Sequence, residues 1–152
     1  MPVLAIMIGI QASGKSTFCR NYLSGYDRIN LDTLHTRNKE SQAMNEAFET
    51  KQDMVIDNTN PSVEEREKYI RSAKENGYKV VGYFMQSKLQ ECIARNEKRE
   101  GKAKIPAKAI AATSNRLKMP SYQEGFDALY FVMFTDTGVS VEKWKEESLD
   151  EF

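Results

Sequence analysis

The chain has 152 residues, 40% hydrophobic and 29% charged, with 22 Lys and Arg balancing 22 Asp and Glu. That composition excludes disorder, collagen and coiled coil, and the charge balance leaves any nucleic-acid role to local patches. The length sets an expectation of one compact domain over residues 1–152, with a buried core and no room for a second catalytic module.

No apolar run approaches the roughly 18 residues of a membrane span, and the first residues carry neither a basic leader nor a cleavage site. Cys19 and Cys92 lie in helix-like patterns without metal spacing, and His35 is the lone histidine. These features suit a reducing cytoplasm and no structural zinc.

In chain order, Val3 to Ile8 is a continuous apolar run ending at Gly9, the pattern of a strand buried on both faces. Lys15 to Ser24 reads as a helix, and a short strand follows around Arg28 to Leu31. Residues 39–51 are helix-like, with Ala43, Ala47 and Phe48 on one face, and Met54 to Ile56 is the next buried strand, ending at Asp57. Asn60-Pro61 reads as an N-cap with proline at the first helical position, and Gly77 sits where that helix should stop. Tyr78 to Met85 is a strand and 88–100 a helix. Gly101 to Ile105 is a polar basic loop, Pro106 opens a helix over 106–118, and Ala128 to Phe134 is the last strand. The acidic tail, about 140–152, reads as a surface helix or a frayed end, with Trp144 anchoring it to the body. Strands alternating with helices predict an α/β fold, a parallel sheet of about five strands covered on both faces, with a small helical or loop lid over about 95–106.

Gly9-Ile10-Gln11-Ala12-Ser13-Gly14-Lys15-Ser16 fits GxxxxGK[ST] and lies between a buried strand and a helix. Chance places this pattern in a chain of such length with a probability on the order of 1%, and the strand–loop–helix context is the one the motif requires. Backbone N–H groups of the loop, from Ala12 and Ser13 to Thr17, would point at phosphates, and the helix adds its positive end. Gly9 and Gly14 permit close approach, Lys15 reaches the β- and γ-phosphates of ATP, and the Ser16 hydroxyl binds Mg²⁺.

In parallel sheets ligands lie outside the carboxyl ends of strands, which singles out Asp32 and Asp57. Asp32 closes the strand expected to neighbour the loop. There it either takes a proton from an acceptor hydroxyl or caps the following helix in solvent. Asp57 follows its strand in the manner of a Walker B acid, holding Mg²⁺ or orienting the acceptor, unless it is simply the acid of an Asx-turn. Arg95 and Arg99, four apart on one helix, project the same way at the flank of the apolar face formed by Leu89, Cys92 and Ile93. From Arg95 to Lys118 eight basic residues face only Glu97 and Glu100. The two arginines either reach over a transferring phosphoryl group or form a solvated basic surface. His35 and Arg37 are candidates to meet an acceptor phosphate.

Four blocks make the resemblance specific: Gly9 to Thr17; Ile29 to Leu34; Val55-Ile56-Asp57-Asn58-Thr59-Asn60-Pro61; and Arg95 to Arg99 running through Ile105-Pro106 to Pro120-Ser121-Tyr122-Gln123-Glu124-Gly125-Phe126. Together they resemble the kinase domain of 5′-polynucleotide kinases, of the bacteriophage and the kinase-phosphatase types, within the P-loop kinases. The resemblance implies a three-layer P-loop kinase fold that moves the ATP γ-phosphate to a 5′-hydroxyl end of DNA or RNA. It makes Asp32 the general base, Lys15 and Ser16 the phosphate and Mg²⁺ ligands, and Arg95 and Arg99 the lid arginines. Asp57 and Asn58 would lie beside the acceptor. Glu124-Gly125-Phe126 is a turn plus a core Phe with no chemistry assigned.

There are departures. Gln11-Ala12 stands where relatives often carry Pro-Gly. Phage-type enzymes place an arginine three residues after the base, where this chain has His35, with Arg37 two further on. There is no Asp-x-Asp-x-Thr phosphatase signature and no ligase module, so the expectation is a kinase domain alone, with any phosphatase or ligase a separate partner. Two rivals use the same residues. One is a small-molecule kinase for a nucleoside, nucleotide or sugar nucleotide, as in zeta-toxin-like proteins; the other is a nucleotide-gated binding module without transfer.

Overall fold

A computed structural model of the chain describes residues 1–146. Six strands form one sheet: β1 (Val3–Ile8), β2 (Asp27–Ile29), β3 (Met54–Ile56), β4 (Lys79–Met85), β5 (Ala128–Thr135) and β6 (Gly138–Lys143). Their order is β2-β3-β1-β4-β5-β6. The first five run parallel and β6 pairs antiparallel with β5. The helices are α1 (Lys15–Tyr22), α2 (Leu31–Leu34), α3 (Arg37–Thr50), α4 (Val63–Glu75), α5 (Leu89–Glu97) and α6 (Ala107–Arg116).

Strand periodicity explains the layers. Leu4, Ile6 and Ile8 point to one face, where they pack with Met44, Ala47 and Phe48 of α3 and Tyr69, Ile70 and Ala73 of α4. Ala5 and Met7 point to the other, against Phe18 and Cys19 of α1. Both faces of β1 are therefore dry, as its unbroken apolar run requires. A third cluster sets Ile10 and Ala12 against Cys92 of α5 and Ile110 of α6, so the glycine-rich loop rests on these two helices. The result is the three-layer α/β fold expected, with the loop at the carboxyl end of the central strand. No helix among the described residues is long and apolar enough to cross a membrane.

Several local expectations need correction. The sheet has six strands rather than about five, because Gly138–Lys143, at the start of the acidic tail, forms β6. Val139 and Val141 alternate with Ser140 and Glu142, a period of two, and Gly138 at φ 142° closes a tight hairpin onto β5. Trp144 anchors the tail as expected, packing edge-on against Phe84 and Phe131; residues 147–152 lie outside the described part of the chain. The cap of α4 is Ser62, whose hydroxyl accepts the Glu65 N–H at 3.1 Å, rather than Asn60. Asn60 sits instead at φ 45° with its buried amide donating to the Met7 carbonyl at 2.7 Å. The strand that neighbours β1 on this side is β3, with β2 beyond it, so Asp57 and not Asp32 ends the adjacent strand. Asp32 falls in the short helix α2, which carries too few residues to show a period.

Candidate active site

The loop between β1 and α1 is shaped by backbone geometry. Gly9 donates to the Thr59 carbonyl at 3.0 Å, and a Cβ there would meet Ser13 Oγ at 2.8 Å and Met85 Cβ at 3.1 Å. Gly14 takes φ 99°, and a Cβ on it would lie 2.2 Å from the Phe134 ring. Ala12 also adopts a left-handed φ of 65°. Ser87 Oγ receives the Ile10 N–H at 3.1 Å, and Gln11 Nε2 donates to Thr113 Oγ1 of α6 at 2.9 Å, tying the loop to its surroundings.

Lys15 opens α1 and folds back, its Nζ donating to the Gly9 and Ile10 carbonyls at 2.9 and 2.8 Å. One of its three N–H donors is left for a ligand. Desolvation by the enclosing loop lowers its pKa to about 8, an effect partly offset by Asp57. Ser16, one residue on, donates its hydroxyl to Asp57 Oδ2 at 3.1 Å. The Asp57 side chain is only 1% exposed, and it is also held by Arg28 Nε at 2.7 Å. Arg28 Nη2 reaches Ser16 Oγ at 3.1 Å, closing a triangle.

Asp32 is exposed and lines the same cleft, of about 360 Å³, as Lys15, Ser16, Asp57, Asn58 and Arg99. The capping role open to it is filled by Asn30, whose side chain accepts the Thr33 N–H at 3.2 Å. Asn30 also donates to the Asp57 backbone carbonyl. The Asp32 carboxylate accordingly has no hydrogen bond or ion pair among the described residues.

Asn58 links the two acid-bearing loops. Its Oδ1 accepts the Leu31 N–H at 3.0 Å, and its Nδ2 donates to Glu40 Oε2 at 3.1 Å. Glu40 is buried and also takes the Tyr69 hydroxyl at 3.0 Å. Burial and then Glu40 push the Tyr69 phenol up to about 12, so it stays a donor. Arg37 is committed to this group through Glu40 at 3.1 Å and the Tyr69 oxygen at 2.9 Å. Neither Arg37 nor His35, exposed at the left-handed C-cap of α2 with φ 70°, is among the residues lining the cleft.

On the α5 side, Arg95 Nη1 donates to the Ala12 carbonyl at 3.1 Å, and Arg99 lines the cleft while donating to the Ala103 carbonyl at 3.3 Å. The loop between α5 and α6 is pinned at its base by Asn96, fully buried, whose amide donates to the Ile105 carbonyl at 2.6 Å and accepts the Ile105 N–H at 3.0 Å. Sequence reasoning passed over Asn96, Arg28 and Glu40. It also left Glu124 without a role, yet Glu124 forms a two-pronged ion pair with the fully buried Arg66, at 2.8 and 3.1 Å.

A strand–glycine loop–helix unit, an acid ending the neighbouring strand and arginines on and just after α5 define a P-loop kinase domain. The chain belongs to the AAA domain family, whose model matches residues 41–120. It is 32% identical over 138 residues to the bifunctional polynucleotide phosphatase/kinase of Schizosaccharomyces pombe, covering 86% of this chain and 33% of that protein. A relative from Acanthamoeba polyphaga mimivirus, named for the same pair of activities, is 33% identical over 139 residues, covering 86% of this chain and 33% of that protein. The resemblance to polynucleotide kinases thus extends over 86% of this chain, which spans about a third of the length of these relatives.

Among solved structures, Kti12 of Chaetomium thermophilum in complex with ADP-AlF3 superposes with a TM-score of 0.66 at 17% identity, covering 88% of this chain and 90% of that one. A gluconokinase from Sinorhizobium meliloti 1021 does so at 0.59 and 19%, covering 87% and 82%. At such identities these neighbours establish the shared fold.

Proposed function

We propose that this chain acts as a single kinase unit that moves the γ-phosphoryl group of ATP to the 5′-hydroxyl end of DNA or RNA. The observation that carries the reading is the unpartnered carboxylate of Asp32, lining the same cleft as Lys15 and Ser16. The relatives' names supply the acceptor class, and their second named activity would belong to another segment or a separate phosphatase partner.

In this reading the N–H groups from Ala12 to Thr17 cradle the phosphates at the positive end of α1. Lys15 offers its remaining donor to the β- and γ-phosphate oxygens. Arg99, and Arg95 after release from the Ala12 carbonyl, cover the transferring group from the lid. Asp32 takes the proton of the acceptor hydroxyl as that oxygen attacks phosphorus, and the bond to the ADP oxygen breaks on the opposite side. Asn58 holds the backbone before Asp32 and, with Asp57, borders the acceptor. Arg37 is engaged with Glu40 and Tyr69 and His35 lies outside the cleft lining, so either would meet an acceptor phosphate only beyond the cleft itself.

The Ser16 hydroxyl and Asp57 carboxylate are hard oxygen donors that already gather a cation, the Arg28 guanidinium, so they fit Mg²⁺. Ser16 and Asp57 would hold the Mg²⁺, which would supply neutralisation of charge on the phosphates. The test is Asp32→Asn: ATP binding should stay near normal while transfer from γ-labelled ATP falls by about 10²–10⁴. Full activity in that variant refutes the assignment of the base.

A further inference from the structure

The Arg28 guanidinium occupies the position between the two groups best suited to hold a divalent cation. Parallel register places Arg28 beside Val55. Val55 points to the α1 face of the sheet, whereas Ile29 points to the opposite core. Asp57, two residues beyond Val55, returns to the α1 face, where Ser16 starts the helix. Nε lies 2.7 Å from Asp57 Oδ2 and Nη2 lies 3.1 Å from Ser16 Oγ. One planar fork thereby bridges both oxygens. The Asp57 side chain is 1% exposed, so its charge needs a partner inside the fold; the Arg28 side chain is 39% exposed, so it has open solvent into which to withdraw.

We propose that Arg28 is a resident counter-cation that competes with the divalent metal for Ser16 and Asp57, so that metal loading and guanidinium release are coupled. This rests on the reading of Ser16 and Asp57 as the metal-binding pair. Asp57 Oδ2 already holds both the guanidinium and the Ser16 hydroxyl, so a divalent ion that takes this oxygen together with Ser16 Oγ meets the guanidinium at contact distance, where the two cations repel. Each metal ion bound there therefore displaces the guanidinium, and apparent metal affinity is reduced by the fraction of molecules in which Arg28 is docked. The device also keeps the buried carboxylate compensated while no metal is bound.

The experiment is Mn²⁺ binding to the whole chain, followed by electron paramagnetic resonance with and without ATP, alongside Mg²⁺-dependent thermal stabilisation. Arg28→Gln should tighten Mn²⁺ binding by about fivefold or more, the lower end of ordinary coupling between ligands, and should gain more stabilisation from Mg²⁺ than the parent. Arg28→Lys keeps the charge but not the fork, and should fall between the two; it also serves if the Gln variant does not fold. Arg20→Gln removes a nearby exposed charge whose hydrogen bond among the described residues is to Thr17 Oγ1, at 3.4 Å, and controls for the general field. Unchanged or weaker Mn²⁺ binding in Arg28→Gln, a Lys variant indistinguishable from the parent, or equal tightening in Arg20→Gln overturns the proposal. Asp57→Asn separates the two layers. If it abolishes Mn²⁺ binding while Arg28→Gln has no effect, the metal site stands and the competition fails. Should Asp57→Asn bind like the parent, the metal reading itself fails.

Discussion

Removing Glu124 leaves the Arg66 guanidinium, fully buried, without its carboxylate. Arg66 would keep only the Asn60 and Lys118 carbonyls, at 3.0 and 3.2 Å. Breaking a buried pair by deleting one partner costs about 3–5 kcal/mol, because the surviving charge is uncompensated. Glu124 also accepts the Ser121 N–H at 2.9 Å in a capping box, so its loss orphans a further donor. In a chain of this size each kcal/mol lowers Tm by about 2–4 °C, so Glu124→Ala should melt roughly 6–20 °C below the parent. Urea denaturation followed by circular dichroism measures the free energy directly. An Arg66→Met/Glu124→Leu double variant should lose less than the sum of the two single losses, since it leaves neither charge behind. A Glu124→Ala penalty below about 1 kcal/mol, on the same principle, would refute the view that this ion pair locks α4 to the turn that precedes β5.

Three further outcomes follow from the site. Because the free-protein pKa of Lys15 is lowered to about 8 and phosphates require its ammonium form, ATP affinity should be level below that pH. Above it, affinity should fall by up to about tenfold per pH unit; calorimetric titration that stays flat to pH 9.5 would contradict this. Asn96→Ala removes both bonds that pin the loop between α5 and α6, and should cost about 1–3 kcal/mol in denaturant melts while lowering turnover through Arg99. Glu40→Gln should weaken the hold on Asn58, reducing kcat with little change in KM for ATP; steady-state kinetics in which only KM moves would oppose a positioning role.

Much of this fold was legible because its signals are local. The apolar runs of β1 and β3 reveal strands buried on both faces, and Gly9 to Ser16 is readable because phosphate binding demands glycine, lysine and hydroxyl at set spacing. Gly77, at φ 76°, stops its helix where expected. The misses share another physics. Strand order depends on crossovers, so the insertion of β3 between β1 and β2 has no local trace. The two-residue alternation of β6 runs only from Val139 to Glu142, too short to stand out beside the acidic residues that follow it. Arg66 with Glu124, Asn96 with Ile105, and Arg28 with Asp57 are pairings across 58, 9 and 29 positions, made by tertiary approach alone. Asp32 lies between these cases: its place near a strand end was legible, but the separation of base from cap required seeing Asn30 take the cap.

The most direct test of the central claim is transfer of label from γ-labelled ATP, with Mg²⁺, to a 5′-hydroxyl oligonucleotide. Parallel reactions would hold a free nucleoside, a nucleotide, gluconate and a 5′-phosphorylated oligonucleotide. The account predicts label on the 5′-hydroxyl oligonucleotide, strong preference over the small acceptors, none on the phosphorylated control, and loss of transfer in Asp32→Asn. Label on small acceptors alone would contradict the proposed substrate, and bound ATP with no label anywhere would contradict the kinase itself.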